Sequence, residues 1–177
     1  MTTGAPEDIA LAVARPDDAR LLDNLLELYI HDLSEAFPLE PGPDGRFGYP
    51  RLQLYWSEPD RRFAFLIRAG GRVVGFVLAT RGSPASDDPE ALDVAEFFVL
   101  RRHRRSGIGQ RAAVLLWERL PGDWTVRVSE ANRRGLPFWE ATIRAYTRGA
   151  FTECTRPGSP NRWRIFSFRS GAAAAPP

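Results

Sequence analysis

The chain has 177 residues, and 44% of them are hydrophobic, which is enough to bury the core of one folded domain. Its 24 basic residues, all arginine, exceed the 22 acidic residues by two, which excludes a polycation as a whole. The single Cys154 excludes an internal disulfide, and the well-separated His31 and His103 give no metal-ligand spacing. We therefore expect no metal site.

Hydropathy along the chain predicts no membrane span, because no apolar run reaches the roughly 18 residues that cross a bilayer. The first ten residues, MTTGAPEDIA, lack the charged-then-apolar pattern of a secretion signal. These features predict a soluble, cytoplasmic protein. Residues 1–170 are interpreted as one domain, and the small residues of 171–177 as a flexible tail.

The first half of the chain predicts a strand, a helix and a hairpin. IALAV alternates like a strand, and Pro16 with two aspartates opens a helix that runs to about Phe37. A Pro/Gly loop over 38–50 and a short helix or turn near Tyr55 follow. The runs RFAFLIRA and RVVGFVLAT, joined across two glycines, predict a β-hairpin. The buried stripe of the helix is predicted to comprise Leu21, Leu22, Leu25, Leu26, Leu28 and Tyr29.

The second half of the chain alternates between strands and helices. LDVAEFFVL is a strong strand, a helix over 107–120 follows, and WTVRV is the next strand. A helix over 135–146 tolerates Pro137 in its first turn, and two final strands are joined by TRPGSPN. The whole order, β-α-(α)-β-β-β-α-β-α-β-β, predicts a mixed α/β sheet covered by helices. One face of the helix over 107–120 is predicted to contain Ile108, Ala112, Leu115, Leu116 and Arg119.

Four arginines in five residues precede two glycines in FFVLRRHRRSGIG, where a strand gives way to a helix. The first turn of a helix has backbone N–H groups without an intrahelical partner, and the helix dipole adds about half a positive charge there. Gly107 and Gly109 let an anion approach the backbone closely, and Arg104 adds charge-assisted contacts. The stretch therefore predicts a phosphate or diphosphate site, but not the identity of the anion.

Three other kinds of anion site fit the sequence less well. A P-loop requires a lysine, which the chain lacks. A dinucleotide fingerprint would have Ala112 at its third glycine position, and no acidic ribose ligand ends the next strand unless Glu130 serves. A nucleic-acid surface would spread its arginines over a face with stacking aromatics, whereas these arginines are confined to one turn.

The stretch FFVLRRHRRSGIG resembles the acyl-CoA-binding signature of the GNAT superfamily, the acyl-CoA-dependent N-acetyltransferases. That signature is a strand, then Arg/Gln-x-x-Gly-x-Gly/Ala, then a helix, and Arg104, Gly107 and Gly109 occupy its defined positions. The element order also matches over about residues 9–169, and Asn132 matches an asparagine that often follows the fifth strand. The resemblance implies a mostly antiparallel sheet of about seven strands with helices on both faces.

The resemblance also implies that acetyl-CoA is a cosubstrate and that an amine is the acceptor. The arm of the cofactor would pair with one strand like an extra strand, which requires that this strand separate from WTVRV. A main-chain N–H near Val99 would polarise the thioester carbonyl, and Asn132 would contact the arm. The residues implied to hold the pyrophosphate are Arg104, Arg105, Ser106, Gly107, Ile108 and Gly109, and those implied to pair with the pantetheine arm are Phe98, Val99 and Leu100.

Acetyl transfer to an amine requires a base, because an amine of pKa about 10.4 is uncharged in only about one molecule in 2,500 at neutral pH. Glu96 is the predicted base, since burial in an apolar strand raises the pKa of a carboxylate. The alternative is a carboxylate that faces outward or is ion-paired. The usual acid of the family is a tyrosine seven residues after Asn132, where this chain has Trp139. Tyr146, two turns further along, is the candidate acid; core packing of Tyr146, or thiolate departure without an acid, are the alternatives.

His31 and Asp32 are predicted to hold a cationic amine, because the end of the first helix shapes the acceptor pocket in the family. A solvent-facing histidine is the alternative interpretation. The sequence thus predicts an N-acetyltransferase for a primary amine of a small molecule or protein, acting by direct attack in a ternary complex. The alternative is an acyl-CoA-binding regulatory module of the same fold without turnover. We expect no nucleic-acid or membrane partner, and a homodimer is compatible with the sequence.

Overall fold

A computed structural model describes residues 8–158 and 161–171. Residues 1–7, the loop positions 159–160, and 172–177 of the predicted tail lie outside the described residues. The strands are β1 (Ile9–Val13), β2 (Arg62–Ala69), β3 (Arg72–Arg81), β4 (Leu92–Val99), β5 (Gly122–Ser129), β6 (Thr152–Arg156) and β7 (Trp163–Ser170). The helices are α1 (Ala19–Leu33), α2 (Leu54–Ser57), α3 (Ile108–Arg119) and α4 (Gly135–Thr147). None of these helices has the length and apolarity that crossing a bilayer requires.

The strands form one sheet of seven in the order β1-β2-β3-β4-β5-β7-β6. Every neighbouring pair is antiparallel except β4 and β5, which are parallel. Side chains of α1 and α2 pack on one face of the sheet, and those of α3 and α4 pack on the other. The predicted architecture, a mostly antiparallel seven-stranded sheet with helices on both faces, is confirmed.

The core on the α3 and α4 face is built around tryptophan. Trp117 of α3 is fully buried, and its ring centroid lies 4.9 Å from those of Tyr146 and Phe168. On the opposite face, Leu22 and Leu26 of α1 are fully buried. Burial of large apolar side chains on both faces makes the sheet the rigid middle layer that positions the site.

Two details of the predicted helices are wrong. Helix α1 ends at Leu33 rather than near Phe37, and Leu21 and Leu28, which were predicted to be buried, are 37% and 51% exposed. The buried residues of α1 are Leu22, Leu25 and Leu26, so both leucines fall outside the apolar stripe that faces the sheet. In α3 the buried residues are Ile108, Ala112, Ala113, Leu116 and Trp117, Leu115 is partly buried against the same core, and Arg119 is exposed.

The parallel strands β4 and β5 pair only where they begin. Leu92 lies opposite Trp124 and Asp93 opposite Thr125, after which both strands continue without a partner in each other. Because the hydrogen bonds stop there, a gap opens between the two strands. This gap is the separation that the resemblance required for the pantetheine arm.

A β-bulge in β4 adjoins the start of this gap. Leu78 of β3 pairs with Glu96 while the next residue, Ala79, pairs with Val94, so Ala95 is an additional residue in β4. A bulge of this kind re-aims the side chains beside it. Here Ala95 packs against the core beneath α1, and Glu96 contacts Tyr29 of α1, so the bulge directs both toward the same face.

Leu26→Ala is expected to lower the free energy of unfolding by about 2–5 kcal/mol, because it leaves a cavity in a fully buried position. Leu28→Ala, two residues along the same helix, is expected to change it by less than about 0.5 kcal/mol. Urea denaturation followed by circular dichroism measures both values. Similar losses in the two variants would show that the assigned buried face of α1 is wrong.

Candidate functional site

The gap between β4 and β5 opens into a cavity of about 330 Å³. This volume lies in the range of small-molecule sites. Its walls come from β4, β5, α1 and the loop after it, the beginning of α4, and β7. The residues that form the walls are Tyr29, Leu33, Phe37, Leu39, Val94, Ala95, Glu96, Phe97, Val126, Arg127, Val128, Ser129, Asn132, Trp139 and Trp163.

Glu96 is held in this cavity by two tyrosine hydroxyls. The hydroxyl of Tyr29 donates to Oε2 at 2.7 Å, and that of Tyr49 donates to Oε1 at 3.0 Å. Burial, reinforced by the neighbouring carboxylate, raises the pKa of both tyrosines well above the ordinary value, so both are neutral donors. Each carboxylate oxygen thus has one fixed hydrogen bond, and the orientation of Glu96 is set from two separate segments.

The surroundings of Glu96 make it a better base than an ordinary surface carboxylate. Burial raises the pKa of Glu96, while the hydrogen bonds from Tyr29 and Tyr49 lower it by a smaller amount, and the net change is upward. A base whose pKa lies closer to the working pH takes up a proton with less loss of driving force. This is the direction that the position of Glu96 in an apolar strand predicted.

An ion pair closes the narrow end of the gap. Asp93 is fully buried and accepts hydrogen bonds from Ser83 Oγ at 3.1 Å and Thr125 Oγ1 at 2.9 Å. Arg127 adds a two-pronged contact, Nε to Oδ1 at 2.9 Å and Nη2 to Oδ2 at 2.7 Å. A buried carboxylate requires such partners. Sequence reasoning missed this ion pair. The signal for it was Asp93 itself, because an acid inside the apolar run LDVAEFFVL needs a charged or hydrogen-bonding partner.

The arginine-rich turn has the backbone geometry of an anion site. A 3₁₀ turn over Arg101–His103 is followed by Arg105 and Gly107, both with positive φ, +62° and +84°, and α3 then begins. In the described part of the chain, no backbone carbonyl or side chain accepts a hydrogen bond from the amides of residues 105–109. Successive free amides at a helix start form a concave donor set for phosphate oxygens.

The two glycines of the turn serve different purposes. Gly107 has a φ of +84°, which favours glycine, and the space where its Cβ would be is open. Gly109 has an ordinary φ, but a Cβ there would lie 3.2 Å from the ring of Phe138 in α4. The conformation of the turn therefore favours glycine at position 107, and the close packing of α3 against α4 favours it at position 109.

Asp32 binds the arginine turn instead of facing the Glu96 cavity. Its carboxylate accepts a hydrogen bond from Arg101 Nε at 2.8 Å and another from Arg104 Nη2 at 2.5 Å. Burial would raise the pKa of Asp32, but the hydrogen bonds from the two arginines outweigh this effect and lower it. Asp32 thus links α1 to the turn, and its predicted role in holding a cationic amine stays a prediction.

His31 and Tyr146 do not reach the cavity either. The exposed ring of His31 lies beside Phe47, with 6.4 Å between the ring centroids. Tyr146 packs against Trp117, whereas Trp139 is part of the cavity wall. The seven residues from Trp139 to Tyr146 return to the same helix face but move about 10 Å along the axis. Their positions give no support to the predicted roles of His31 and Tyr146.

The backbone of β4 faces the gap at alternate residues only. Leu100 donates its N–H to Val74 and accepts from His103, both at 2.8 Å, and the carbonyl of Phe98 lies against Gly75 in β3. Of the three residues predicted to pair with the pantetheine arm, Val99 alone therefore turns its backbone to the gap. Its carbonyl accepts a hydrogen bond from Arg104 Nε at 2.7 Å.

Asn132 lies in the cavity wall where β5 gives way to α4. Its Oδ1 accepts a hydrogen bond from the amide of Gly135 at 2.8 Å, which fixes the beginning of α4. The side-chain Nδ2 is not used in that contact. The predicted asparagine thus sits beside the gap with a fixed orientation and a donor group at its end.

Comparisons with known proteins agree with this geometry. An acetyltransferase from Thermus thermophilus has 20% identity and a TM-score of 0.64, covering 91% of this chain and 96% of that one. Spermidine N-acetyltransferase from Vibrio cholerae, in complex with CoA and spermine, has 12% identity, a TM-score of 0.62 and coverages of 92% and 95%. A Salmonella typhimurium protein with its cofactor acetyl-CoA has 14% identity, a TM-score of 0.63 and coverages of 96% and 98%.

At these identities the solved structures show a shared fold. No curated protein matches the chain. A family model described as "Acetyltransferase (GNAT) family" matches residues 22–142, which is more than half of the chain and includes most of α1, the bulged strand and the arginine turn. The chain therefore belongs to the GNAT family of acetyltransferases.

Proposed function

We propose that the protein transfers the acetyl group of acetyl-CoA to a primary amine of a small molecule or protein by direct attack in a ternary complex. The observation that carries the proposal is the position of Glu96, a half-buried carboxylate held by two tyrosine hydroxyls in the gap between β4 and β5. The CoA and acetyl-CoA complexes among the similar structures support the choice of cosubstrate.

The pyrophosphate of CoA binds the free amides of Arg105, Ser106, Gly107, Ile108 and Gly109 in this proposal. These amides lack acceptors in the described part of the chain, and the dipole of α3 adds positive potential at the same place. The neighbouring Arg104 adds positive charge beside these amides while it keeps its ion pair with Asp32 of α1.

The pantetheine arm lies in the gap and pairs with the backbone of Val99. Phe98 and Leu100 keep this strand in place through β3 and make no direct contact with the arm. A carbonyl oxygen has two lone pairs, so Val99 can accept from the arm and from Arg104 together. On the other side of the gap, Nδ2 of Asn132 is available to an amide carbonyl of the arm.

The transfer itself requires one base and one oxyanion donor. Glu96 takes a proton from the ammonium group, and the neutral nitrogen then attacks the thioester carbonyl carbon. The main-chain N–H of Val99 stabilises the negative oxygen. The N–C bond forms, the C–S bond breaks with its electron pair on sulfur, and the second proton of the nitrogen passes to the thiolate through solvent. A thiol of pKa near 8.5 leaves without a dedicated acid.

A second candidate is an acyl-CoA-binding module of the same fold without turnover. Trp139 favours it, because an indole occupies the position of the usual acid and donates no phenolic proton. The two candidates share the cofactor site and differ only in acetyl transfer. Thiol release from acetyl-CoA across a panel of amines separates them.

Gly107→Asp is expected to abolish the rise in Tm that micromolar acetyl-CoA causes, because it places a carboxylate against the pyrophosphate. At a concentration of about 100 Kd, the parent protein should gain about 2.7 kcal/mol, or several degrees in Tm. Differential scanning fluorimetry measures the shift. Gly149→Asp is the matched control, since Gly149 has a similar φ of +88° and equally open surroundings, but follows α4. Absence of a shift in the parent would refute cofactor binding.

Glu96→Gln is expected to reduce kcat by about 10²–10⁴-fold, because the amide cannot accept the ammonium proton. The glutamine can still form hydrogen bonds with both tyrosine hydroxyls, so the Tm and its shift with acetyl-CoA should be retained. Thiol release measures kcat, and differential scanning fluorimetry measures the Tm and its shift with acetyl-CoA. Turnover within a few fold of the parent would exclude Glu96 as the base.

Tyr29→Phe and Tyr49→Phe are each expected to move the acid limb of the pH–rate profile to higher pH. Each hydroxyl stabilises the charged carboxylate, so its loss raises the pKa of Glu96 further, and the base becomes protonated at a higher pH. The dependence of kcat/KM on pH reports this limb. Tyr146→Phe is the control and should leave it unmoved, whereas an unmoved limb in both test variants would mean that the limb belongs to another group.

A further inference from the structure

A cationic side chain lies across the gap from Glu96. Arg127 of β5 lines the same cavity. Asp93 and Thr125 pair at the closed end, so Arg127, two residues further along β5, lies opposite the bulge that carries Glu96. Arg127 and Thr125 both bind the carboxylate of Asp93, so they share one face of β5.

The guanidinium of Arg127 is fixed and only partly used. Nε and Nη2 bind the two oxygens of Asp93 side-on, which leaves Nη1 at the far end of the planar group. The Arg127 side chain is 28% exposed, whereas that of Asp93 is 1% exposed. The buried carboxylate of Asp93 therefore fixes Arg127 through Nε and Nη2, and Nη1 remains as a donor for a ligand in the cavity.

The cavity wall has few charged groups. Among the wall residues that the structure describes, Glu96 and Arg127 are the charged side chains, and the charge of Arg127 is compensated from behind by Asp93. A guanidinium has only hydrogen-bond donors, so Nη1 can bind a carboxylate and offers nothing to a second ammonium group of a polyamine. A zwitterion would meet a carboxylate at its amine end and a donor at its carboxylate end.

The remainder of the outer wall is apolar. Leu33, Phe37 and Leu39 come from the end of α1 and the loop after it, and Trp163 comes from β7. The rings of Phe37 and Trp163 lie 6.1 Å apart, centroid to centroid. This wall offers van der Waals contact and no further charge to the part of an acceptor that points out of the gap.

We infer that the amine acceptor is a free amino acid with an apolar side chain, whose carboxylate binds Nη1 of Arg127 while its amine faces Glu96. The inference rests on the proposed function and names its acceptor class. A guanidinium matches a carboxylate in shape and hydrogen-bond geometry, and its charge does not depend on pH near neutrality. Arg127 is thus a specificity residue, and Asp93 is the residue that positions it.

The first arm of the test varies the acceptor. L-leucine and L-phenylalanine are compared with isoamylamine and phenethylamine, which lack the carboxylate, with the two amino acid amides, and with spermidine. Values of kcat/KM are expressed per unprotonated amine, because the carboxylate also changes the amine pKa. We expect the amino acids to exceed every other acceptor by about tenfold or more. An equal or higher value for the decarboxylated amines, the amides or spermidine would overturn the inference.

The second arm varies the protein without leaving a buried carboxylate unpaired. The double variant Asp93→Asn with Arg127→Gln removes both charges together. The ratio of kcat/KM for the amino acid to kcat/KM for the decarboxylated amine should fall about tenfold or more in this variant. Asp123→Asn with Arg169→Gln is the matched control, since this ion pair of β5 and β7 is exposed and lies outside the Glu96 cavity.

The outcomes separate the inference from the function on which it rests. If acetyl-CoA does not bind the parent protein, or no amine is acetylated, the proposed function fails and the inference fails with it. If amines are acetylated but the double variant changes all acceptors equally, Arg127 serves stability alone and only the inference is refuted. The inference is supported if the preference for amino acids disappears in the double variant and persists in the control variant.

Discussion

The parting of two parallel strands is the constraint on which the other features of the site depend. β4 and β5 share two residue pairs and then separate, although each continues for several residues. A sheet normally satisfies its backbone groups with the next strand, so a gap leaves donors and acceptors for a ligand of extended shape. The Asp93–Arg127 ion pair binds the strands together at the closed end, and the arginine turn lies where β4 ends.

Within this gap the orientation of Glu96 is fixed by hydrogen bonds. In the proposed reaction Glu96 exchanges a proton, and both of its oxygens are held by tyrosines, one from α1 and one from the loop after it. Burial raises the pKa of Glu96 and the two hydroxyls limit the rise, so the carboxylate is more basic than an ordinary one. Fixed donors need no reorganisation during reaction, which is the usual source of electrostatic stabilisation in enzymes.

Sequence reasoning succeeded where the relevant geometry is local. The turn at 104–109 was recognisable because strand, arginines, glycines and helix follow one another directly, and the order of elements followed from hydropathy and turn residues. The surroundings of Asp32 and Tyr146 could not be read from the sequence for the opposite reason. Asp32 meets arginines 69 and 72 residues away, and Tyr146 meets Trp117 across the core; neither pairing leaves a periodic signal in the chain.

What the amino-acid sequence determined by itself is the set of parts: a sheet with helices, a turn with free amides, and an acid in an apolar strand. Periodicity and turn chemistry act over a few residues, so they can be read directly. Only the tertiary structure decided what surrounds Glu96. Tyr29 is 67 residues away from it, Tyr49 is 47 away, and Arg127 comes from another strand. These residues meet because β4 bulges and β5 departs from it at particular positions. The packing of the whole sheet determines those positions.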